Sequence, residues 1–338
     1  MAASPKDLTG KPAPAGDVLS NVLRQVRLSG SLQFCFMPQG AWQTDDRPAF
    51  ANQNATSVQA IPFHIVVAGQ CWLKMEGRHI ALAEGDVVAF PFGTGHQLGV
   101  GADGATITPT KLLPPKPWRE VPVLRYGDGS EHVRLLCGYL QCDIMNFRPL
   151  RDALPRLLHV RTGNAASTAW LRATIDQIAA EVDRPKSGGL SMLERLSEIT
   201  FIELLRHEIV AAPQGSTGWL AALAEPSLGR CLSLIHDDPS RGWTVETLAR
   251  GCGLSRSTLT ERFDMVLGTS PISYLRDWRL YLASVELSGS TKSIARIAEE
   301  AGYGTEAAFS RAFARSFGSP PGAWRKTASG MDTRHPPS

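Results

Sequence analysis

Hydrophobic positions alternate with polar ones in the front of the chain and recur every three to four residues behind it, with the change near residue 150. The alternating stretches are short: Leu32–Met37, Phe63–Ala68, Cys71–Glu76, His79–Leu82, Asp86–Pro91, His96–Val100 and Val133–Leu140. Gly, Pro and Asp punctuate them, which predicts an all-β sandwich or small barrel. A short helix precedes them, from a cap at Asp17 to Leu28, with Val18, Val22 and Val26 on one face. Behind them Trp170, Leu171, Ile175, Ile178 and Val182 predict one helix over 168–182. A second is predicted to open on a capping box at Ser191 and Glu194 and run through Ile209.

From Trp243 to Lys326 one pattern occurs twice. Val245, Leu248 and Ala249 give a helical face, Gly253 breaks it, and Ser255 caps a second helix carrying Leu259 and Phe263. Ile294, Ile297 and Ala298, then Gly302, Thr305, Phe309 and Phe313 repeat the order. Each copy has the form of a helix-turn-helix. Between them Ser270 and Pro271 start a spacer helix that stops at Gly289, with Leu275, Trp278, Leu282 and Val285 expected on a buried stripe. Pro271 to Leu287 spans roughly 25 Å as a helix. Such a spacer suits two recognition helices held about one DNA turn, ~34 Å, apart.

Within each second helix the residues off the core face are candidates for DNA contact. They are Arg256, Ser257, Thr260 and Glu261, with Arg262 toward phosphate or the groove edge, in the first copy. In the second they are Glu306, Ala307, Ser310 and Arg311, with Arg315 toward phosphate. Arg256 or Arg311 suits guanine, Glu261 cytosine N4 and Ala307 a thymine methyl.

Charge adds a little. The 338 residues carry 35 basic and 32 acidic side chains, and residues 228–327 alone hold 13 basic against 10 acidic. The whole excess therefore lies in the proposed DNA-binding region. Hydrophobic content of 43% with 20% charged residues is ordinary for a folded globular chain. The N-terminal residues lack the apolar core of a signal peptide, and no stretch suits a bilayer. A reducing cytoplasm is thus expected, with the six cysteines not forming a disulfide scaffold.

This last third of the chain resembles the DNA-binding domain of the AraC/XylS family of transcription regulators. The resemblance rests on Leu254-Ser255-Arg256, Arg262-Phe263, Gly268-Thr269-Ser270-Pro271, Tyr274-Leu275, Arg279-Leu280, Ile294-Ala295, Ile297-Ala298, Gly302-Tyr303, Phe309, Phe313, Phe317-Gly318, Pro320 and Arg325. It implies promoter DNA and RNA polymerase as partners, an activator or other regulator, and a homodimer formed through helices such as those at 161–210.

In the front, Gly85, Pro91, Gly93 and His96 follow G-x5-P-x-G-x2-H, which resembles the second motif of the cupin barrel. The first cupin motif would add a His-x-His pair and a glutamate; His64 is present, but Val66 and Gln70 stand at the other places. That is too few ligands for a cupin metalloenzyme, the rival reading, and no other catalytic set has convincing spacing. No enzyme is expected. Cys35 and Cys137 could both point inward beside His64 and His96, as a zinc site or a thiol sensor, or as ordinary core. Cys71 is a lesser candidate for the same cavity. Phe63-His64, Gly69 through Leu73, Gly85 through Val88, Pro91, His96 and Leu136-Cys137-Gly138 resemble a cupin-type sensory domain of an AraC subgroup, some of whose members answer reactive chlorine or electrophiles through cysteines. The expected order is a flexible leader (1–16), a cupin-like sensor of a small molecule, metal or oxidant (17–160), a helical pair for dimerisation or a lid (161–210), and a linker (211–225). A double helix-turn-helix (226–327) and a flexible tail (328–338) complete it.

Overall fold

A computed structural model describes residues 17–26, 28–45, 59–128, 132–142, 146–163, 168–211, 213 and 215–331. The expected leader and the end of the tail lie outside these residues. The chain divides into two compact units. One holds residues 27–145 and 154–211; the other holds 146–153 and 212–334 together with the N-terminal helix.

The first unit is β-rich. Strands β1 (Leu28–Pro38), β3 (Gln59–Ala68), β6 (Val87–Ala89), β9 (Val123–Tyr126), β10 (Arg134–Cys142) and β11 (Leu158–Val160) form a six-stranded sheet in the order β11-β6-β3-β10-β1-β9. Strands β2 (Trp42–Thr44), β4 (Gln70–Met75), β5 (Arg78–Ala83), β7 (Gln97–Val100) and β8 (Ala105–Ile107) form a second sheet, ordered β5-β4-β7-β2-β8. Phe34, Phe36, Val66, Leu73, Phe90, Leu98 and Leu135 fill the space between them. Strands β2, β8, β9 and β11 are absent from the alternation read in the sequence. Each has only three or four residues, too few for a period of two to register.

Helices α3 (Ala169–Asp183) and α4 (Gly189–Ala211) belong to this unit. α4 lies against β1 so closely that a Cβ on Gly30 would come within 2.5 Å of Ser197 Cβ. Two expectations change here. Trp170 is 62% exposed, while Leu171, Ile175, Ile178 and Val182 are buried. α4 begins at Gly189, so Ser191 is inside its first turn and is not the cap. Glu181 sets that start: its carboxylate accepts from Lys186 N–H, and a Cβ on Gly189 would meet it at 2.3 Å.

The second unit is helical. It contains α1 (Val18–Gln25), α2 (Arg148–Ala153), α5 (Trp219–Ala224), α6 (Pro226–Asp237), α7 (Val245–Cys252), α8 (Arg256–Leu267), α9 (Pro271–Gly289), α10 (Ile294–Glu300), α11 (Glu306–Phe317) and α12 (Pro321–Met331). Residues 17–26 and 146–153 thus join this unit rather than the β domain in which the sequence pattern put them. Asn21 donates to Asp237 of α6 at 2.7 Å. Phe147, fully buried, is ringed by Trp219, His236, Tyr274, Trp278 and Tyr281 at 5.0–6.3 Å between centroids. α9 buries Tyr274, Leu275, Trp278, Leu280, Tyr281, Ala283 and Leu287, more than the single stripe expected, whereas Leu282 and Val285 are only half-buried. It does so because the first helix-turn-helix packs on one side of it and the second on another. α12 also runs past Lys326, through five residues expected to fray.

Candidate functional site: a double helix-turn-helix and an apolar cavity

Both copies of the repeated pattern form helix, turn and helix. Gly253 (φ 71°) and Gly302 (φ 79°) occupy left-handed backbone at the two turns, which a side chain would strain. Ser255 Oγ accepts from Thr258 N–H at 3.1 Å, and Thr305 Oγ1 from Ala308 N–H at 3.2 Å, so both second helices are capped as expected. Ser270 likewise caps α9. A capping box at Thr244 and Thr247 opens α7; its threonine stands at the third helical position, where glutamate or glutamine marks the motif in a sequence. Leu259 and Phe263, and in the second copy Phe309 and Phe313, are fully buried.

The opposite faces carry the proposed DNA contacts. Arg256, Ser257, Thr260 and Glu261 are exposed on α8, as are Glu306, Ala307, Arg311 and Arg315 on α11; Ser310 is half-buried. Two side chains are already engaged. Arg256 pairs with Glu246 at 2.9 Å across the exposed turn. Arg262, expected toward phosphate or the groove edge, is half-buried and its guanidinium is held by Glu225. Arg311 and Arg315 make no ion pair among the described residues. Arg279 and Arg325, which carry the family pattern, are clamps. Arg279 donates to the carbonyls of Pro239 (2.6 Å) and Arg241 (2.9 Å), and Arg325 to those of Leu287 (3.4 Å) and Lys292 (2.6 Å).

In the β unit a cavity of about 440 Å³ opens between the sheets. Phe34, Phe36, Leu98, Leu113 and Leu135 wall it, with Asp45, Thr108 and Lys111 also lining it. Its floor includes His64, His96 and Cys137. Register explains two of these. Phe34, Cys137 and His64 are cross-strand neighbours on β1, β10 and β3. Phe34 and Cys137 belong to the core between the sheets, and His64 shares their cavity. His96 precedes β7 after a turn at Gly93 and stacks on Phe90 at 3.6 Å.

The floor is a closed hydrogen-bond chain. His96 Nδ1–H donates to the Thr94 carbonyl at 2.8 Å, so a neutral His96 presents an acceptor at Nε2. His64 Nε2–H donates to it at 2.8 Å, which leaves His64 Nδ1 to accept from the Cys137 thiol at 3.1 Å. Burial drives the groups the same way. It lowers the His64 pKa well below its ordinary value, helped by the neighbouring His96, and lowers that of His96. It also raises the Cys137 thiol well above its ordinary range.

The four-ligand zinc set does not assemble in this geometry. Side chains alternate along β1, so with Phe34 and Phe36 inward Cys35 turns to the other face, where it pairs with Leu136 and receives a hydrogen bond from Arg134 Nε at 3.5 Å. Cys137 and His96 moreover engage opposite nitrogens of His64 and cannot share one ion with it. Among the described residues no group of three or more His, Cys, Asp or Glu side chains is placed to hold a metal. Cys71 is in the apolar core between the sheets, its thiol pushed up to about 12 by burial, and it does not line the cavity.

The β unit and the paired helix-turn-helix each match a known family. A cupin family model matches residues 17–209, and a helix-turn-helix domain model matches 248–327. A putative AraC-like transcription regulator of Streptomyces lividans is 33% identical over 315 residues, covering 92% of this chain and 98% of its own. The HTH-type transcriptional regulator AlkR of Acinetobacter baylyi is 30% identical, covering 92% and 99%. The RCS-specific transcriptional activator RclR of Escherichia coli is 28% identical, covering 80% and 86%. The chain belongs to the AraC-like transcription regulators with an N-terminal cupin domain. It is a DNA-binding regulator and not an enzyme.

Proposed function

We propose that the cupin-like domain is the sensor of this regulator and that its effector is a small, mostly apolar, uncharged molecule held in the cavity. The observation that carries this is the pairing of an apolar-walled space of about 440 Å³ with a polar floor whose hydrogen bonds are already closed. The charged side chains that line the cavity, Asp45 and Lys111, are of opposite sign, so a charged ligand meets no net counter-charge and would lose its hydration at the floor. An apolar ligand gains by burial alone. Occupancy controls DNA binding only if the ligand binds two arrangements of the protein unequally.

Thiol chemistry at Cys137 is the second reading, supported by its contact with His64. Burial works against it, because the thiol is held protonated. In the leading reading a homodimer acts in the cytoplasm on promoter DNA with RNA polymerase. Trp170, Leu190 and Met192, exposed on α3 and α4, suit the dimer contact.

Selection of bound duplexes from a random DNA pool, with and without a panel of uncharged apolar compounds, tests the proposal. One compound class should shift both DNA affinity and melting temperature, and Leu98→Trp, which fills the cavity, should abolish the shift. If oxidant or chelator changes binding while no apolar compound does, the apolar-effector reading fails.

A further inference from the structure

Arg279, half-buried on the spacer helix α9, touches parts of both helix-turn-helix copies. Its Nε donates to the Pro239 carbonyl at 2.6 Å and its Nη2 to the Arg241 carbonyl at 2.9 Å. Both carbonyls belong to the loop between α6 and α7 that leads into the first copy. The remaining edge of the same guanidinium lies against the turn of the second copy. A Cβ on Gly302 would stand 2.8 Å from Nη1 and 3.3 Å from Cζ.

Each contact is made on backbone that is itself tied down. In the loop, the Asp238 carboxylate accepts from the Ser240 hydroxyl at 2.8 Å and from Arg241 N–H at 3.1 Å. The Asp238 carbonyl accepts from Trp243 Nε1–H at 2.9 Å, and the Thr244 capping box then starts α7. In the second copy Gly302 N–H donates to the Glu299 carbonyl and Tyr303 N–H to that of Ala298, both at 2.9 Å. These bonds close the turn between α10 and α11. Packing does less here. A crevice of about 230 Å³ opens beside the guanidinium, walled by Pro239 and Ser240 of the loop, Leu282 and Val285 of α9, and Ile297 and Ala301 of α10. Apolar side chains leave this junction open, and the forked guanidinium spans it.

We propose that Arg279 is a positioning residue for DNA recognition. It sets the angle between the two copies, and with it the spacing of the two base sequences that one molecule binds together. Arg279 need not touch DNA to do this. Two binding modules strengthen each other on one duplex only while geometry lets both engage at once. A guanidinium suits the task because its donors form a planar fork, whereas an ammonium is a point charge on a flexible stem. One base pair inserted between the two sequences turns one relative to the other by about 35°. A junction held at one angle resists that change, and a loosened junction follows it at a smaller loss.

The full-length protein would be titrated with a duplex selected from a random pool. Further duplexes would have one base pair added or removed between the two protected segments, or carry one segment alone. The wild type should bind the altered spacings roughly tenfold more weakly than the parent duplex. Arg279→Ala, checked for folding by thermal melting, should lose a similar factor on the parent duplex and bind all spacings nearly alike. Its affinity for the single segment should match that of the wild type. Arg279→Lys should fall between the two, and it carries the same comparison if the alanine variant does not fold. A role in stability alone would lower the melting temperature and leave the spacing preference as it is in the wild type. That outcome overturns the proposal, as does a wild type indifferent to spacing, or an equal loss on the parent duplex and the single segment. None of these readouts involves the cavity, so failure of the apolar-effector reading leaves this test intact.

Discussion

The two helix-turn-helix copies share a core and differ at the surface. Phe263 in the first and Phe309 with Phe313 in the second are fully buried, both turns use a left-handed glycine, and both second helices start on a hydroxyl cap. Outward, Arg256 is paired to Glu246 and Arg262 to Glu225, whereas Arg311 and Arg315 have no acidic partner among the described residues. Repetition therefore preserves what folds the motif and not what it offers to DNA. Among the described residues the second copy presents guanidinium groups without an ion pair, and the first must release its own before they reach a phosphate or a base.

The shared core gives the largest expected effect. Phe263→Ala and Phe309→Ala should each destabilise the protein by about 3–5 kcal/mol, measured by urea denaturation. Comparable losses at the two sites would confirm that the copies are equivalent inside. A loss below about 1 kcal/mol at either would break the comparison at its base.

Next comes the surface difference. Arg311→Ala should cost about 1–3 kcal/mol of operator binding and relax preference at one base position. Arg256→Ala should cost less, since its exposed pair with Glu246 already competes for the guanidinium. Glu246→Gln should then tighten binding in the wild type and do nothing in the Arg256→Ala background. Binding profiles over singly mutated operators check all three. A larger loss at Arg256 than at Arg311 would reverse the assignment.

An acid-sensitive element lies beside the first copy. Tyr274 Oη accepts from Trp219 Nε1–H at 2.7 Å and donates to His236 Nε2 at 2.7 Å, while His236 Nδ1 has no partner among the described residues. Burial lowers the pKa of His236 from 6.5 to about 3. The unfolded chain gains this proton below pH 6.5 and the native chain does not until about pH 3, so stability is complete above 6.5 and declines as pH falls toward 3. At pH 5.5 the loss is on the order of 1 kcal/mol. Comparing urea melts at pH 7.5 and 5.5 for the wild type and His236→Gln isolates it. Equal slopes would show that His236 does not titrate in this way.

What the sequence disclosed follows the same division between core and surface. Burial repeats every two residues along the longer strands and every three to four along helices, so the β unit, both helix-turn-helix copies and the caps of α8, α9 and α11 were legible. The position of Cys35 was not. Strand alternation alone leaves the phase open, and only the pairing of β1 with β10 shows that Phe34, not Cys35, shares the row with Cys137. The hydrogen-bond chain from Cys137 through His64 to His96 needs strands far apart in sequence to be in register. Arg262 illustrates the converse limit: helical periodicity put it near the surface, but its partner Glu225 comes from outside the motif. A similar distance hid Phe147, an isolated apolar residue in sequence that becomes the centre of an aromatic ring in the helical unit.

The smallest expected effect separates the two arginines that lie late in their helices, Arg262 on α8 and Arg315 on α11. Arg315 is exposed and unpaired among the described residues, so a phosphate can engage it without first displacing a carboxylate. Neutralising one phosphate releases condensed counterions, and removing that contact should lower the slope of log affinity against log salt by about 0.9 while weakening all sequences alike. Arg262 is held by Glu225, and engaging DNA would cost it that partner. Arg262→Ala should therefore leave the salt slope unchanged and reduce thermal stability instead. Titrations of one duplex at several salt concentrations for both variants decide the matter. A slope that falls for Arg262→Ala and stays fixed for Arg315→Ala would mean that the first copy, not the second, supplies the late phosphate contact.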